Sequence, residues 1–237
     1  SDAHMPTQTH TFAWSVVESL RDAGAGVTLL SAKPLTSFPG NPSILVGGGR
    51  FNECGIDGVY LPFVNLTVAK HLTRFISAGA LGGALIHRWR PDAVLVHGVH
   101  SPFLLAAQVY RRVLGIPVVT ILTDPPGVVL PTDSRLVAGL KQLDRAVVRW
   151  LLRGQDGVIA LTTALADHYA PGAPVLVMEG IVSALPQTPA VTGVGADVAP
   201  QATIVYAGGL SRAYGVDRLV EAVLRLPETN VRLKLFG

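Results

Sequence analysis

Polar side chains follow two apolar, strand-like runs of the sequence. His97 comes directly after the run 93–96, and Asp124 lies two positions after the run 118–122. Ligands collect at the carboxyl ends of strands in open α/β sheets, where a carboxylate can bind a substrate hydroxyl or assist in removing its proton. We therefore expect Asp124 and His97 to be catalytic residues. The alternative for Asp124, which precedes Pro125, is an Asx turn that uses the carboxylate for its own backbone.

A second histidine, His100, lies three positions after His97, with Gly98 between them. Two histidines at this spacing need further ligands to hold a metal, and the sequence offers no cluster of His, Asp or Glu that would complete the set. We expect no metal site. Contact with a substrate is the functional hypothesis for His100, beside an ordinary structural role.

A glycine-rich turn follows the apolar run 203–207. Gly208 and Gly209 allow the backbone to turn and to approach a ligand closely, and Gly215 precedes a predicted helix. The free N–H groups at the start of such a helix can hold a phosphate, and Arg212 adds a positive charge. The alternative is an ordinary strand, turn and helix whose glycines serve packing.

A row of basic residues recurs every four positions on a predicted helix over 134–153. Its members are Lys141, Arg145, Arg149 and Arg153. A solvated outer helix face is the simpler interpretation of this row. The sharper one is contact with an acceptor or with anionic lipid, to which each basic residue would contribute about 1 kcal/mol.

Apolar runs alternate with longer amphipathic segments through most of the chain, which is typical of a doubly wound parallel sheet with helices on both faces. Residues 34–58, rich in Pro and Gly, are predicted to form a loop, and Ser101 is predicted to cap the helix that follows it. The predicted strands are 27–31, 59–64, 93–96, 118–122, 157–161 and 175–178, and the predicted helices are 12–24, 66–90, 101–115, 134–153 and 163–169.

The pattern divides the chain into two domains. Residues 6–182 form a Rossmann-like domain, and 183–201, in which Asp197 is the only charge, is a predicted linker. Residues 202–237 then open a second Rossmann-like domain with one βαβ unit. Because a single βαβ unit cannot bury both faces of its strands, we expect this second domain to be incomplete.

Composition excludes several classes of protein. Hydrophobic residues make up 49% of the chain and charged residues 15%, so the chain is not intrinsically disordered. The apolar run 93–110 is interrupted by Pro and His and does not read as a membrane span. The lone Cys54 excludes a disulfide framework and fits a reducing cytosol. A net charge of +3 without aromatic residues among basic runs speaks against nucleic-acid binding.

The segment 206–219, YAGGLSRAYGVDRL, resembles the start of the donor-binding domain in family 4 retaining glycosyltransferases of the GT-B fold, especially members that build polysaccharides. Segments 91–97, 116–125, 156–161 and 175–180 are similar to successive strands of the family's acceptor-binding domain, in the same order.

This resemblance implies a GT-B protein with an acceptor-binding domain and the start of a nucleotide-sugar-binding domain. The reaction would move a sugar from a nucleotide-sugar to an acceptor hydroxyl with retention of configuration, in cell-envelope or polysaccharide synthesis. Donor phosphates would lie on Gly208, Gly209, Arg212 and Gly215, which demands no metal or other cofactor. A lipid-linked acceptor would place the protein in the cytoplasm, with the inner face of the plasma membrane as the contact surface. The oligomeric state stays open.

The sequence also departs from the family pattern. Where many members have an arginine after the first glycine and a lysine before the last, this chain has Gly209 and Tyr214, so Arg212 would supply the charge. The family's pair of glutamates, its first strand and its first glycine-rich turn have no counterpart, and we expect the chain to be incomplete at both ends. Two alternatives follow: a non-catalytic acceptor- or partner-binding module of a truncated or split transferase, and a nucleotide-sugar epimerase of the same fold.

Overall fold

The computed structural model describes residues 8–67, 69–127, 135–181, 202–210, 212–227 and 231–237. The chain divides into two compact units, residues 1–184 and 185–237, and each is described by itself. The predicted linker 183–201 lies outside the described residues.

A parallel four-stranded sheet forms the centre of the first unit. Its four strands stand side by side in chain order, and each neighbouring pair is parallel, as expected when every strand is followed by a helical crossover. The register pairs Val94 with Val118 and Val119 with Gly157. The strands are β6 (Val94–His97), β7 (Val118–Leu122), β8 (Gly157–Ala160) and β9 (Val175–Val177).

Three helices accompany this sheet: α4 (Ser101–Val109), α5 (Arg135–Leu152) and α6 (Thr163–Tyr169). Helix and sheet residues share one apolar core, in which Leu104, Leu122 and Val148 are fully buried. The predicted strand 118–122 and helix 163–169 agree with β7 and α6 residue for residue. Ser101 is the first residue of α4 and not its cap, since His100 holds the N-cap position without a side-chain hydrogen bond.

The region predicted as a loop contains strands, which corrects the sequence-based expectation. Within 34–58 lie β2 (Leu45–Val46), β3 (Gly49–Glu53) and the start of β4 (Ile56–Tyr60). The flanking strands β1 (Leu29–Ser31) and β5 (Phe63–Val64) lie within the predicted strands 27–31 and 59–64. β3 and β4 form an antiparallel hairpin, while β1 pairs with β4 in parallel. The predicted strand 59–64 is two strands, because Leu61 and Pro62 separate β4 from β5.

Helices α1 (Gln8–Asp22), α2 (Ala69–Ser77) and α3 (Gly83–Trp89) complete the first unit. A π-helical turn, Ala78–Gly82, joins α2 to α3, and a second one, Tyr110–Leu114, extends α4. Tyr110 links the two turns by donating its phenolic O–H to the carbonyl oxygen of Ala78, and burial raises its pKa to about 12.

The second unit contains one βαβ motif, as predicted. β10 (Ala202–Ala207) and β11 (Val231–Phe236) are parallel over six residues, and α7 (Val216–Leu224) connects them. A 3-10 turn, Arg212–Tyr214, precedes α7.

Candidate functional site

The carboxyl ends of β6 and β7 lie side by side, as the sequence predicts for parallel neighbours. His97, the last residue of β6, pairs with Ile121 of β7. The next residue, Gly98, donates its N–H to the carbonyl oxygen of Ile121 at 3.1 Å and adopts φ 78°, a conformation that favours glycine. The chain therefore turns sharply after His97, and His100 follows at the start of α4.

His97 is half-buried, and its ring centroid lies 6.0 Å from that of Phe12 in α1. Its Nε2 atom is buried and has no hydrogen-bond partner among the described residues. Burial lowers the pKa of His97 below its ordinary value of 6.5, the nearby His100 lowers it further, and the charge of Asp124 acts in the opposite direction. The imidazole is therefore neutral at pH 7 and able to accept a proton.

Asp124 is exposed on the loop after β7 and accepts a hydrogen bond of 3.0 Å from the Thr123 hydroxyl at Oδ2. Its charge is close enough to His97 to raise the pKa of that imidazole. The structure thus brings the two predicted catalytic residues to one edge of the sheet. A neutral imidazole beside an exposed carboxylate can exchange protons with a bound hydroxyl or orient it.

His100 belongs to the same edge. Its ring lies against Gly98, with Cδ2 3.6 Å from the position that a Cβ would take there. The pKa of His100 is lowered by desolvation and by the positive charge of Arg74, while Asp144 of α5 raises it and His71 lowers it. Groups from α2 and α5 therefore face the predicted acceptor contact.

Two basic residues of α2, Lys70 and Arg74, are neighbours of this edge that the sequence did not indicate. Lys70 is buried with 8% of its surface exposed, and Arg74 is half-buried. They are four positions apart, which places both on one helix face. In the sequence this spacing is indistinguishable from a solvated basic face, and only the packing of residues 33–35 over α2 reveals the difference.

The loop after β7 packs on α5. Gly127 adopts φ 61°, and a Cβ there would lie 2.6 Å from the carbonyl oxygen of Lys141 and 3.0 Å from Cβ of Arg145. The predicted basic row thus begins next to the loop that carries Asp124. Lys141, Arg145 and Arg149 are partly buried, and Arg153 is exposed.

α5 also presents apolar side chains to solvent. Leu140, Leu143 and Trp150 are 50%, 63% and 58% exposed, and their spacing places them along one side of the helix. The guanidinium carbon of Arg112 lies 5.9 Å from the centre of the Trp150 ring. The outer face of this helix is therefore apolar on one flank and basic on the other.

In the second unit, two glycines of the predicted phosphate-binding turn, Gly208 and Gly215, adopt positive φ angles. Gly208 adopts φ 156° and donates its N–H to the carbonyl oxygen of Phe236 at 2.9 Å. Gly215 is the N-cap of α7 at φ 74°, and Arg212 is exposed in the turn between them. Asp217 occupies the first turn of α7, where its charge opposes that of a bound anion.

One contact links the two positions at which this turn departs from the expected pattern. The position of a Cβ on Gly209 would lie 2.8 Å from Cε2 of Tyr214, so the two positions face each other. The hydroxyl of Tyr206 donates to the carbonyl oxygen of Gly209 at 3.1 Å. With Tyr214 in place, no side chain fits at Gly209 unless the ring moves.

Two features are absent from the described residues. Within them, no three His, Cys, Asp or Glu side chains are grouped so that they could hold a metal ion. Nor does any helix in the described part combine the length and the apolar character that crossing a membrane requires.

Most of the first unit matches a known protein family. The family model described as a glycosyl transferase 4-like domain matches residues 9–175, more than half of the chain. The matched region contains His97, His100, Asp124 and the basic row of α5, and it ends before the second unit begins. No curated protein matches the chain.

Proposed function

The chain belongs to the family of glycosyl transferase 4-like domains, and we propose that it transfers a sugar from a nucleotide-sugar to an acceptor hydroxyl with retention of configuration. The pathway proposed is cell-envelope or polysaccharide synthesis. The observation that carries the proposal is the grouping of His97, Asp124 and His100 at the carboxyl edge of the parallel sheet, inside the matched region.

In this proposal the first unit binds the acceptor. Asp124 accepts a hydrogen bond from the acceptor hydroxyl, and the neutral His97 is available as a proton acceptor beside it. His100, with part of its surface exposed, contacts the acceptor. Half-burial of His97 supports the role, because desolvation keeps the imidazole unprotonated at neutral pH.

The second unit would hold the diphosphate of the donor. The backbone N–H groups around Gly208, Gly209 and Gly215 and the guanidinium of Arg212 are the donors available for its oxygens. They would stabilise the charge that develops on the leaving group, so the proposal requires no metal or other cofactor.

Radiolabelled nucleotide-sugars offered with a panel of soluble and lipid-linked acceptors test this function. We expect Asp124→Asn and His97→Gln each to lower transfer by about a hundredfold or more. Asp92→Asn and His87→Gln are matched controls, because both residues are exposed and lie away from the carboxyl edge. Transfer at the wild-type rate in both site variants would remove these residues from the mechanism. Inversion at a sugar carbon without an acceptor would instead identify an epimerase.

A non-catalytic module is the second candidate, and the donor turn favours it. Gly209 and Tyr214 stand where the resemblance implies basic residues, and Asp217 adds a negative charge at the helix start. Titration calorimetry with nucleotide-sugars separates the two functions. Donor binding that Arg212→Gln weakens supports the transferase, and acceptor binding without any donor binding supports the module.

The proposed location is the cytoplasmic face of a membrane, with α5 as the contact surface. Trp150 and Leu143 supply exposed apolar area, and Arg149 and Arg153 supply positive charge on the neighbouring flank. Side chains of these two kinds on one helix suit the boundary between acyl chains and anionic headgroups. A lipid-linked acceptor would be available at such a surface.

A further inference from the structure

Two cations of α2 share one aromatic ring outside the residues assigned to the reaction. The Nζ of Lys70 lies 5.8 Å from the centre of the Phe63 ring, and the guanidinium carbon of Arg74 lies 4.3 Å from it. Phe63 is itself buried, with 4% of its surface exposed. The two positive charges therefore lie together at the boundary of the core.

Their hydrogen-bond partners are backbone carbonyls. Lys70 donates from Nζ to the carbonyl oxygen of Leu35, and Arg74 donates from Nη2 to that of Lys33 at 3.2 Å. Among the described residues neither side chain forms a salt bridge with a carboxylate. The Nε of Arg74 is buried and has no partner in the same set.

Two positive charges in such a place are costly without a negative partner. Burial lowers the pKa of Lys70, and the charge of Arg74 lowers it further; burial also lowers the pKa of Arg74. Asp144 is the carboxylate that acts nearby, and its effect is on His100. Buried charges in proteins are normally paired, so this pair is short of a counter-charge.

The hydrogen bonds to the loop after β1 use only part of the hydrogen-bonding capacity of Lys70 and Arg74. A lysine ammonium has three donors and a guanidinium has five, and the two carbonyls use one donor on each. The remaining donors include the Nε of Arg74, which has no partner among the described residues. Arg74 is only half-buried, and its charge lowers the pKa of His100, so Arg74 lies near the edge that holds His97 and Asp124.

We propose that Lys70 and Arg74 form a subsite for a phosphoryl group of the acceptor. The inference rests on the proposed function, because that function supplies the acceptor. A phosphoryl group matches the pair better than a carboxylate does: a phosphate monoester carries about −1.5 to −2 charges at neutral pH, against two positive charges here. Its three oxygens can also engage the guanidinium in a bidentate manner.

A shallow groove of about 360 Å³ adjoins the subsite and shares Phe63 with it. Its lining is mostly apolar and includes Leu45, Val46 and Pro62. A phosphoryl group next to an apolar groove suits a lipid phosphate, whereas a soluble sugar phosphate would use the cations alone.

Calorimetric titration with inorganic phosphate and with pyrophosphate, at constant ionic strength set by chloride, tests the subsite without any donor. Wild-type protein is expected to bind phosphate saturably. Arg74→Gln and Lys70→Met should each weaken phosphate binding by about tenfold or more. Arg74→Lys, which keeps the charge and loses the fork, should fall between. Arg88→Gln removes an exposed charge from the neighbouring α3 and should bind like wild type.

The lipid source is tested by sedimentation with phosphatidylcholine vesicles that contain or lack a polyisoprenyl phosphate. Loss of lipid-phosphate binding in Arg74→Gln assigns the subsite to a lipid acceptor, and loss of free-phosphate binding alone assigns it to a soluble one.

Equal phosphate binding by wild type, Lys70→Met and Arg74→Gln overturns the subsite. Should Lys70→Met fail to fold, the half-buried Arg74 still decides the test. An unchanged acceptor KM in Arg74→Gln, with phosphate binding lost, overturns the acceptor role. Phosphate binding without sugar transfer contradicts only the proposed function.

Discussion

His97 is held neutral by its surroundings, and one charged neighbour opposes that effect. Asp124 raises the pKa of His97, while burial and His100 lower it. Asp124→Asn should therefore lower the pKa of His97 further, because the variant removes the negative charge that favours the imidazolium. NMR titration of the His97 ring protons measures this directly.

Asp92→Asn is the control for that titration, since Asp92 is exposed near the amino end of β6. It should leave the pKa of His97 in place. A pKa of His97 that rises or stays constant in Asp124→Asn would show that the two side chains do not interact.

Gly127 fixes the loop that carries Asp124, and an alanine there should be costly. At φ 61° a Cβ is strained, and it would also lie 2.6 Å from the carbonyl oxygen of Lys141. We expect Gly127→Ala to lower the free energy of unfolding by about 2–4 kcal/mol. Gly115 has nearly the same conformation, φ 68°, with nothing within 4 Å of the Cβ position, so Gly115→Ala should cost only about 1 kcal/mol. Urea denaturation compares them, and equal losses would show that the contact with α5 is unimportant.

The position of a single residue could be predicted where the residue directly follows a recognisable strand. Asp124 and His97 follow apolar runs, so their place at the edge of a parallel sheet could be inferred from the order of strands alone. Lys70 and Arg74 could not be recognised in that way. Their burial depends on Leu35 and Lys33, which lie more than thirty positions away along the chain.

Among the elements, Asp156 ties the start of β7 to the π-helical turn after α4. Its carboxylate accepts two hydrogen bonds from Arg111, at 2.7 and 2.8 Å, and one from the N–H of Val118 at 2.8 Å. The Arg111 hydrogen bonds hold the pKa of Asp156 below its ordinary value of 3.8, with the Val118 N–H contributing. Asp156→Asn should lower the melting temperature at pH 7 by a few degrees.

The pH dependence of this contribution has a definite sign. Since the pKa of Asp156 is lowered on folding, its stabilisation is complete above the ordinary value of 3.8 and is lost as the pH falls below it. The difference in melting temperature between wild type and Asp156→Asn should therefore be constant above pH 3.8 and shrink as the pH falls below that value. A difference that stays constant below that value as well would mean that the charge of Asp156 contributes nothing.

At the scale of elements, the buried strands and the long helices could be predicted from the sequence, whereas the β3–β4 hairpin could not. β7 is almost entirely buried and consists of apolar and β-branched residues, which is a strong signal. β3, by contrast, is largely exposed and contains Gly, Arg, Asn and Glu, so no alternation marks it. β3 is joined to β4 by a cross-strand contact that its own pattern does not reveal: the Phe51 ring covers Gly58, where a Cβ would lie 2.1 Å from the ring.

For the molecule as a whole, the proposed membrane contact is tested at the outer face of α5. Membrane association there should have two components. Burial of the apolar side chains of Trp150 and Leu143 is insensitive to salt. The attraction of Arg149 and Arg153 to anionic lipid is screened by salt. The double variant Leu143→Ser/Trp150→Ser should abolish sedimentation with phosphatidylcholine vesicles that lack a polyisoprenyl phosphate. Arg149→Gln/Arg153→Gln should reduce binding several-fold, and only to vesicles that contain phosphatidylglycerol.

Leu176→Ser is the matched control for this surface. Leu176 is 57% exposed on β9, close to the 63% of Leu143, but it belongs to a sheet strand and not to α5. It should sediment like wild type, because the loss of one exposed leucine elsewhere removes no contact with lipid. Equal losses in Leu176→Ser and in Leu143→Ser/Trp150→Ser would indicate that exposed apolar area in general drives sedimentation. Unimpaired binding in Leu143→Ser/Trp150→Ser would exclude α5 as the contact surface and leave any lipid-linked acceptor to be reached from another face.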